Sequence, residues 1–131
     1  MNESHITGND LTSLIINAAI EVHRELGGPG LLEDVYEEAL CHELQLRGLE
    51  VQRQVSVALE YKGKLLRKRL CLDLLVNSEV IVEVKSVERY NEIHEAQLLT
   101  YLRLTKKRLG LVINFGEQYV KNGVHRVVNN F

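Results

Sequence analysis

The feature that most constrains the fold is a change in hydrophobic periodicity near residue 49. Before it, two segments carry apolar residues at helical spacing, about residues 11–26 and 31–47. The apolar stripe of the first is Leu11, Leu14, Ile15, Ala18, Ala19 and Val22, and that of the second is Leu32, Val35, Tyr36, Ala39, Leu40 and Leu44. The glycine-rich segment 27–30, with its single proline, separates the two predicted helices, and Gly48 is suited to cap the second.

After residue 49 the apolar residues mostly alternate, which is typical of strands. The pattern predicts strands at about 50–61, 65–76, 80–86, 109–115 and 123–129, with a hairpin turn at Lys62-Gly63-Lys64. Helical spacing returns from Asn91, the predicted N-cap, to about Thr105. The order α-α-β-β-β-α-β-β therefore predicts an α/β fold, a mixed β-sheet flanked by helices.

Length and composition agree with one ordinary globular domain. We expect a single domain over residues 1–131, with residues 1–10 as a flexible lead. No apolar run approaches the roughly 18 residues of a membrane span, and the polar start at Met1 is unlike a secretory signal. We therefore expect a cytoplasmic protein without a membrane partner. Cys41 and Cys71, in apolar contexts, are predicted to be buried thiols in a reducing compartment.

The net charge of −2 shows no general attraction to nucleic acid, but the cations are grouped. One group comprises Lys62, Lys64, Arg67, Lys68 and Arg69, and a second comprises Lys106, Lys107 and Arg108. Either group could contact phosphates. The plainer reading is a solvated hairpin and a helix C-terminus, and both readings stay open.

The most informative segment is 70–85. If residues 77–79 form a hairpin loop, Asp73 lies directly across from Glu83 on the next strand. One face then carries Leu70, Leu72, Leu74, Val76, Val80, Val82 and Val84, and the other carries Cys71, Asp73, Leu75, Ile81, Glu83 and Lys85. Two carboxylates and an ammonium group are thus predicted at one end of a single face.

Opposed like charges destabilise a sheet, so this pair needs compensation. A divalent cation provides it, because carboxylate oxygens suit Mg²⁺ or Mn²⁺. Lys85 would lie on the same side, where it could act on a water or on a phosphate. The alternative is a Glu-Lys pair and an unrelated Asp on a solvated face, which the spacing alone does not exclude.

Two helical segments add candidate residues. His94, Gln97 and Tyr101 share one face of the third predicted helix, away from its leucines, where they could orient a phosphate or a water. Glu33 lies in the first turn of the second helix, with Tyr36 one turn later. An acid in the first turn also suits the helix dipole, which is a sufficient structural reason for Glu33.

Together these segments resemble the bacterial GxxExxY proteins, a branch of the PD-(D/E)XK nuclease superfamily. The signature is matched by Gly30, Glu33 and Tyr36, and the resemblance runs from about Leu11 to Val128. It includes Asp73-Leu-Leu-Val, Ile81-Val-Glu-Val-Lys85, the helix block from His94 to Arg103, and Leu111-Val-Ile-Asn-Phe115-Gly. Leu72 replaces the proline of the first half-motif, which leaves every charged position intact.

The resemblance implies a restriction-endonuclease-like fold and a Mg²⁺- or Mn²⁺-dependent nuclease that cleaves DNA, with homodimers known among small members. It implies catalytic roles for Asp73, Glu83, Lys85, Glu33 and Gln97, with Asp73, Glu83 and Glu33 as metal ligands. The expected substrate-binding residues are Gln97, Tyr101, His94, Tyr36, Lys62, Lys64 and Arg67. A non-catalytic nucleic-acid-binding or accessory module that keeps the fold is the alternative.

Overall fold

The computed structural model describes residues 6–130. The helices are α1 (Gly8–Glu25), α2 (Glu33–Leu46) and α3 (Ile93–Thr105), and a 3₁₀ turn spans Val120–Gly123. The strands are β1 (Val51–Val57), β2 (Glu60–Tyr61), β3 (Lys64–Leu65), β4 (Leu70–Val76), β5 (Val80–Lys85), β6 (Leu109–Asn114) and β7 (Val124–Val128). None of the described helices is both long and apolar enough to cross a membrane.

The main sheet has the order β1-β4-β5-β6-β7, and only the β5–β6 pair is parallel. Helix α3 connects these two parallel strands, as a crossover helix does in an α/β fold. The predicted mixed sheet flanked by helices is confirmed, and so is the hairpin turn at Lys62-Gly63. That hairpin pairs β2 with β3 in a separate small sheet, so the strands predicted at 50–61 and 65–76 are interrupted.

The sheet divides the core into two clusters. The α1/α2 cluster packs both N-terminal helices against one face and includes Leu74, Val76 and Val82. The α3 cluster covers the other face and includes Leu98, Leu102 and Ile81. Helices therefore pack on both faces of the sheet.

Four predictions about individual segments are wrong. Helix α1 begins at Gly8, and the Thr7 side chain caps it by accepting a hydrogen bond from the Asp10 N–H. Residues 8–10 therefore do not belong to a flexible lead. Residues 1–5 lie outside the described part of the chain. Leu72 packs in the α3 cluster rather than with Leu74. Cys71 is exposed and Cys41 is half-buried, so neither thiol is fully buried.

The fourth wrong prediction concerns the apolar face of α2. Leu32 is 74% exposed and Val35 is 41% exposed. The buried face follows Tyr36, Leu40 and Leu44, and it includes a charged residue, Glu37, in place of an apolar one. The helix is therefore rotated by about one residue from the predicted orientation, and Val35 faces solvent.

Tyr36 holds the glycine-rich loop against the core. Its hydroxyl donates to the Gly28 carbonyl at 2.6 Å and accepts from the Leu31 N–H at 3.2 Å, while its ring stacks on Phe115 at 4.6 Å. The side chain has no exposed surface, which argues against the predicted contact between Tyr36 and a substrate. Its hydrogen bonds instead fix the segment in which Gly30 adopts φ +115, a conformation that suits glycine.

We expect Tyr36→Phe to lower the free energy of unfolding by about 1–2 kcal/mol, because the Gly28 carbonyl and the Leu31 N–H each lose a partner. The stacked ring is retained, so packing is unchanged. Urea unfolding measures the effect, with Tyr61→Phe as the control because Tyr61 is exposed and its hydroxyl has no protein partner among the described residues. Equal stability of the two variants would contradict this role.

Candidate active site

Asp73 and Glu83 lie where the backbone pairing between β4 and β5 ends. The register places Leu75 opposite Ile81 and Leu74 opposite Val82, as the three-residue loop predicted, so Asp73 and Glu83 are next in line. At this point the two strands are joined by hydrogen bonds between carboxylate side chains and backbone N–H groups. The Asp73 N–H donates to Glu83 Oε2 at 3.0 Å, and the Val84 N–H donates to Asp73 Oδ2 at 2.8 Å.

Each of these carboxylates therefore binds the opposite strand through one oxygen. Within residues 6–130, Asp73 Oδ1 and Glu83 Oε1 receive no hydrogen bond from the protein. Burial is the main reason that the pKa of Asp73 is raised to about 6, with Glu37 and Glu33 adding to it. Burial also raises the pKa of Glu83 to about 8, and the charge of Asp73 comes second.

This chemistry fits a hard divalent cation. Asp73 is half-buried and Glu83 is buried. Two adjacent carboxylates that resist ionisation are stabilised in their charged form by a cation that their remaining oxygens can bind. The predicted third ligand is not assembled with them, since no group of three His, Cys, Asp or Glu side chains in residues 6–130 is placed to enclose a metal ion. Glu33 is exposed at the start of α2 and acts on Asp73 only through its charge.

Lys85 ends β5, two residues beyond Glu83 and half-buried. Its charge opposes the rise in pKa of both Asp73 and Glu83, which indicates that the ammonium group lies near the pair. The segment after it is clamped by Asn114, whose side-chain amide accepts from the Val87 N–H at 2.9 Å and donates to the Val87 carbonyl at 3.0 Å. The chain that follows β5 is thus held against the end of β6.

The predicted face of α3 is turned toward this group. Burial, followed by the charges of Glu83 and Asp73, raises the pKa of Tyr101. Burial, followed by the charge of Lys85, lowers the pKa of His94. Gln97 lies between them on the same helix face and is exposed. Tyr101 is therefore near the carboxylates and His94 is near Lys85, while Gln97 shares their helix face.

The glycine-rich loop borders the site from the α2 side. The Ser86 hydroxyl, next to Lys85, donates to the Leu31 carbonyl at 2.7 Å. A cavity of about 380 Å³ lies between this loop and the chain after β5, lined in part by Gly30, Ser86 and Gly116. The Gly30-to-Tyr36 segment is thereby joined to the end of the strand that carries Glu83 and Lys85.

Glu37 was missed by the sequence analysis. It is 4% exposed and accepts hydrogen bonds from Arg53 and Gln54 of β1, and its charge raises the pKa of both Asp73 and Glu83. The available signal was its spacing, since it lies three and seven residues before Leu40 and Leu44 on the buried helix face. A glutamate there must be paired in order to be buried.

The two groups of cations are not part of this arrangement. Lys62, Lys64 and Arg67 are exposed on or beside the β2–β3 hairpin, and within residues 6–130 no hydrogen bond or ion pair joins them to the carboxylates. Lys106, Lys107 and Arg108 line a cavity of about 760 Å³, larger than the one beside the glycine-rich loop. That cavity lies where β6 begins, at the opposite end of the strands from Lys85 and Asn114, so size alone does not identify the candidate active site.

Comparison with known proteins gives one match. A family model described as the PD-(D/E)XK nuclease superfamily matches residues 9–127, which covers all three helices except the first residue of α1 and nearly all of the sheet. No curated protein and no solved structure matches the chain.

Proposed function

The chain belongs to the PD-(D/E)XK nuclease superfamily, and from that premise we propose that it is a metal-dependent nuclease that hydrolyses phosphodiester bonds in DNA. The pair formed by half-buried Asp73 and buried Glu83 supports this proposal most directly, because each carboxylate keeps one oxygen free of protein donors. We also propose that the chain belongs to the GxxExxY branch, on the strength of Gly30, Glu33 and Tyr36.

Asp73 and Glu83 are the residues proposed to hold Mg²⁺ or Mn²⁺, with Glu33 supplying a further oxygen from α2. A divalent cation at such a site lowers the pKa of a bound water and offsets the charge that develops on a phosphate. The requirement on the protein is that both carboxylates be ionised together. Lys85 favours that state, since its charge lowers the pKa of each.

The remaining site residues would act on the substrate. Lys85 is proposed to act in one of two ways: as an ammonium group that stabilises charge on the scissile phosphate, or as a neutral amine that accepts a proton from the attacking water. Gln97, with His94 and Tyr101 beside it, is proposed to orient the phosphate or the water from the α3 side. Lys62, Lys64 and Arg67 stay predicted strand contacts, and the homodimer and the cytoplasmic location also stay predictions.

A second function is favoured by one observation. Because Glu33 is not assembled with the carboxylate pair, the chain could bind metal and nucleic acid without turnover, as a binding or accessory module. Such a module would still be stabilised by Mn²⁺ but would not cut nucleic acid. Cleavage therefore separates the two proposals.

The test is cleavage of a panel of labelled DNA and RNA forms, namely duplex, single strand, flap and junction, with Mn²⁺, Mg²⁺ or EDTA. We expect cutting of at least one DNA form with either cation and none with EDTA, since the cation offsets the charge of Asp73 and Glu83. Glu83→Ala, purified in the same way, excludes a contaminating nuclease. Binding of Mn²⁺ without cutting of any form would favour the accessory module instead.

A further inference from the structure

Strands β1 and β4 both change face at one point in the sheet. Val51 packs against the α1/α2 cluster, whereas Val55, four residues later, packs against the α3 cluster. In β4, Leu74 belongs to the α1/α2 cluster, whereas Leu72 belongs to the α3 cluster. Residues two or four apart share a face in a regular strand, so both strands are kinked between these positions.

The kink lies at Gln54 and, opposite it, at Asp73. The strand pairing passes from Arg53–Leu74 to Val55–Leu72, and Gln54 and Asp73 between them are not paired. Gln54 has φ +55, in the left-handed region that is strained for a residue with a side chain. Such a conformation persists only where the surroundings hold it.

Glu37 supplies that hold. Its buried carboxylate accepts two hydrogen bonds from Gln54 Nε2, at 2.8 and 3.0 Å, and one from Arg53 Nε at 2.7 Å. The amide oxygen of Gln54, Oε1, accepts a hydrogen bond from the Cys71 thiol at 3.0 Å. The Gln54 side chain is therefore held at both ends, from α2 and from β4.

The kink in β4 lies at Asp73, whose carboxylate is proposed to be catalytic. Where β4 departs from regular pairing, the Asp73 carboxylate bonds to the Val84 N–H and the Asp73 N–H bonds to Glu83. We propose that Glu37 is a positioning residue, which sets Asp73 against β5 by holding Gln54 in its left-handed conformation. The catalytic consequence of this inference rests on the proposed nuclease function, whereas the structural part does not.

The experiment compares two changes: loss of the Glu37 side chain that holds Gln54, and replacement of Gln54 by a residue that is not strained in the left-handed conformation. Glu37→Met removes both acceptor oxygens at similar side-chain length. Gln54→Gly makes the left-handed conformation accessible without a tether. If Glu37 acts through Gln54, the double variant should recover what the single variant loses. Glu43→Gln is the matched control, because it removes a more exposed ion pair, with Arg47, from the same helix.

The first readout is amide hydrogen exchange at Asp73 and Val84, whose N–H groups bond to the two carboxylates. We expect Glu37→Met to speed exchange at both amides by about tenfold or more relative to the core amide of Val112, and the double variant to restore it. Unchanged exchange in Glu37→Met, or no recovery in the double variant, would overturn the inference. If Glu37→Met does not fold, Glu37→Gln takes its place.

The second readout is cleavage. We expect kcat to fall about 10- to 100-fold in Glu37→Met with KM nearly unchanged, and to recover in the double variant, because misplacement of a reacting group lowers the rate of chemistry. Lost cleavage without recovery would mean that Glu37 contacts the metal or substrate itself, and the inference would be wrong. If the parent protein cuts nothing, the proposed function fails and the exchange data alone decide whether Glu37 positions Asp73.

Discussion

Replacement of Lys85 by methionine should lower kcat by about 10²–10³-fold, the usual cost of removing a group that stabilises developing charge in an active site. The side chain lies near both carboxylates, as its effect on the pKa of Asp73 and of Glu83 indicates. Methionine keeps the apolar length of lysine but has no charge. Substrate KM should change far less than kcat, because the proposed interaction is made mainly in the transition state.

Metal binding should separate this role from a general loss of the site. Removal of the Lys85 charge takes away a cation that repels Mn²⁺, but it also takes away a charge that lowers the pKa of both carboxylates. These two effects on Mn²⁺ binding oppose each other, so at pH 8.5 Lys85→Met should still bind Mn²⁺ with an affinity close to that of the parent. Single-turnover cleavage and Mn²⁺ titration by calorimetry measure the two effects. Lys121→Met is the control for the loss of one exposed positive charge.

A further variant distinguishes the two proposed actions of Lys85. Lys85→Arg keeps the positive charge, but a guanidinium group does not release its proton at neutral pH. Recovery of cleavage by arginine would indicate that Lys85 acts through charge, whereas a rate as low as that of methionine would indicate proton transfer. Full activity of Lys85→Met would contradict both actions and place the chemistry elsewhere.

The sequence predicted the hairpin that carries the site because its register depends on local features. Three turn residues and an apolar alternation on both sides determine which residues oppose one another, and Leu75 does oppose Ile81. The same reasoning failed for Leu72, because it assumed regular strands. The kink depends on a contact between Gln54 of β1 and Glu37 of α2, which forms only when the helix packs on the strand and is not contained in the pattern of either segment.

The α2 helix shows a second limit. Hydrophobic spacing located the helix, but it assigned Val35 to the buried face and did not include Glu37 there, whereas in the structure Glu37 is buried and Val35 is exposed. A charge is buried only where partners exist, and those partners, Arg53 and Gln54, come from β1. Their presence follows from tertiary packing, which a single helix pattern does not contain.

Glu83→Gln should stabilise the metal-free protein at high pH and leave it unchanged at low pH. Burial raises the pKa of Glu83 from 4.5 to about 8, so the folded state binds its proton more tightly than the unfolded state does. The stability contribution of this group is therefore fully present below pH 4.5 and is lost as the pH rises through about 8. Glutamine stays neutral and avoids that loss, while its oxygen can still accept from the Asp73 N–H.

At pH 8.5 we expect Glu83→Gln to raise the free energy of unfolding by about 2–4 kcal/mol, since each unit of pKa shift corresponds to about 1.4 kcal/mol. Near pH 4.5 the gain should vanish. Urea unfolding across this range, in EDTA, measures the difference, with Glu43→Gln as the control because Glu43 is paired and partly exposed.

Addition of Mn²⁺ should reverse the sign of this difference at pH 8.5. The cation binds ionised carboxylates and so competes with the proton on Glu83, which makes its stabilising effect on the parent grow as the pH rises from about 6 to about 8. Glutamine lacks that charge, so the variant should gain little from Mn²⁺. Equal stabilisation of parent and variant by Mn²⁺ would show that the cation does not bind at Glu83, and the proposed metal site would then be wrong.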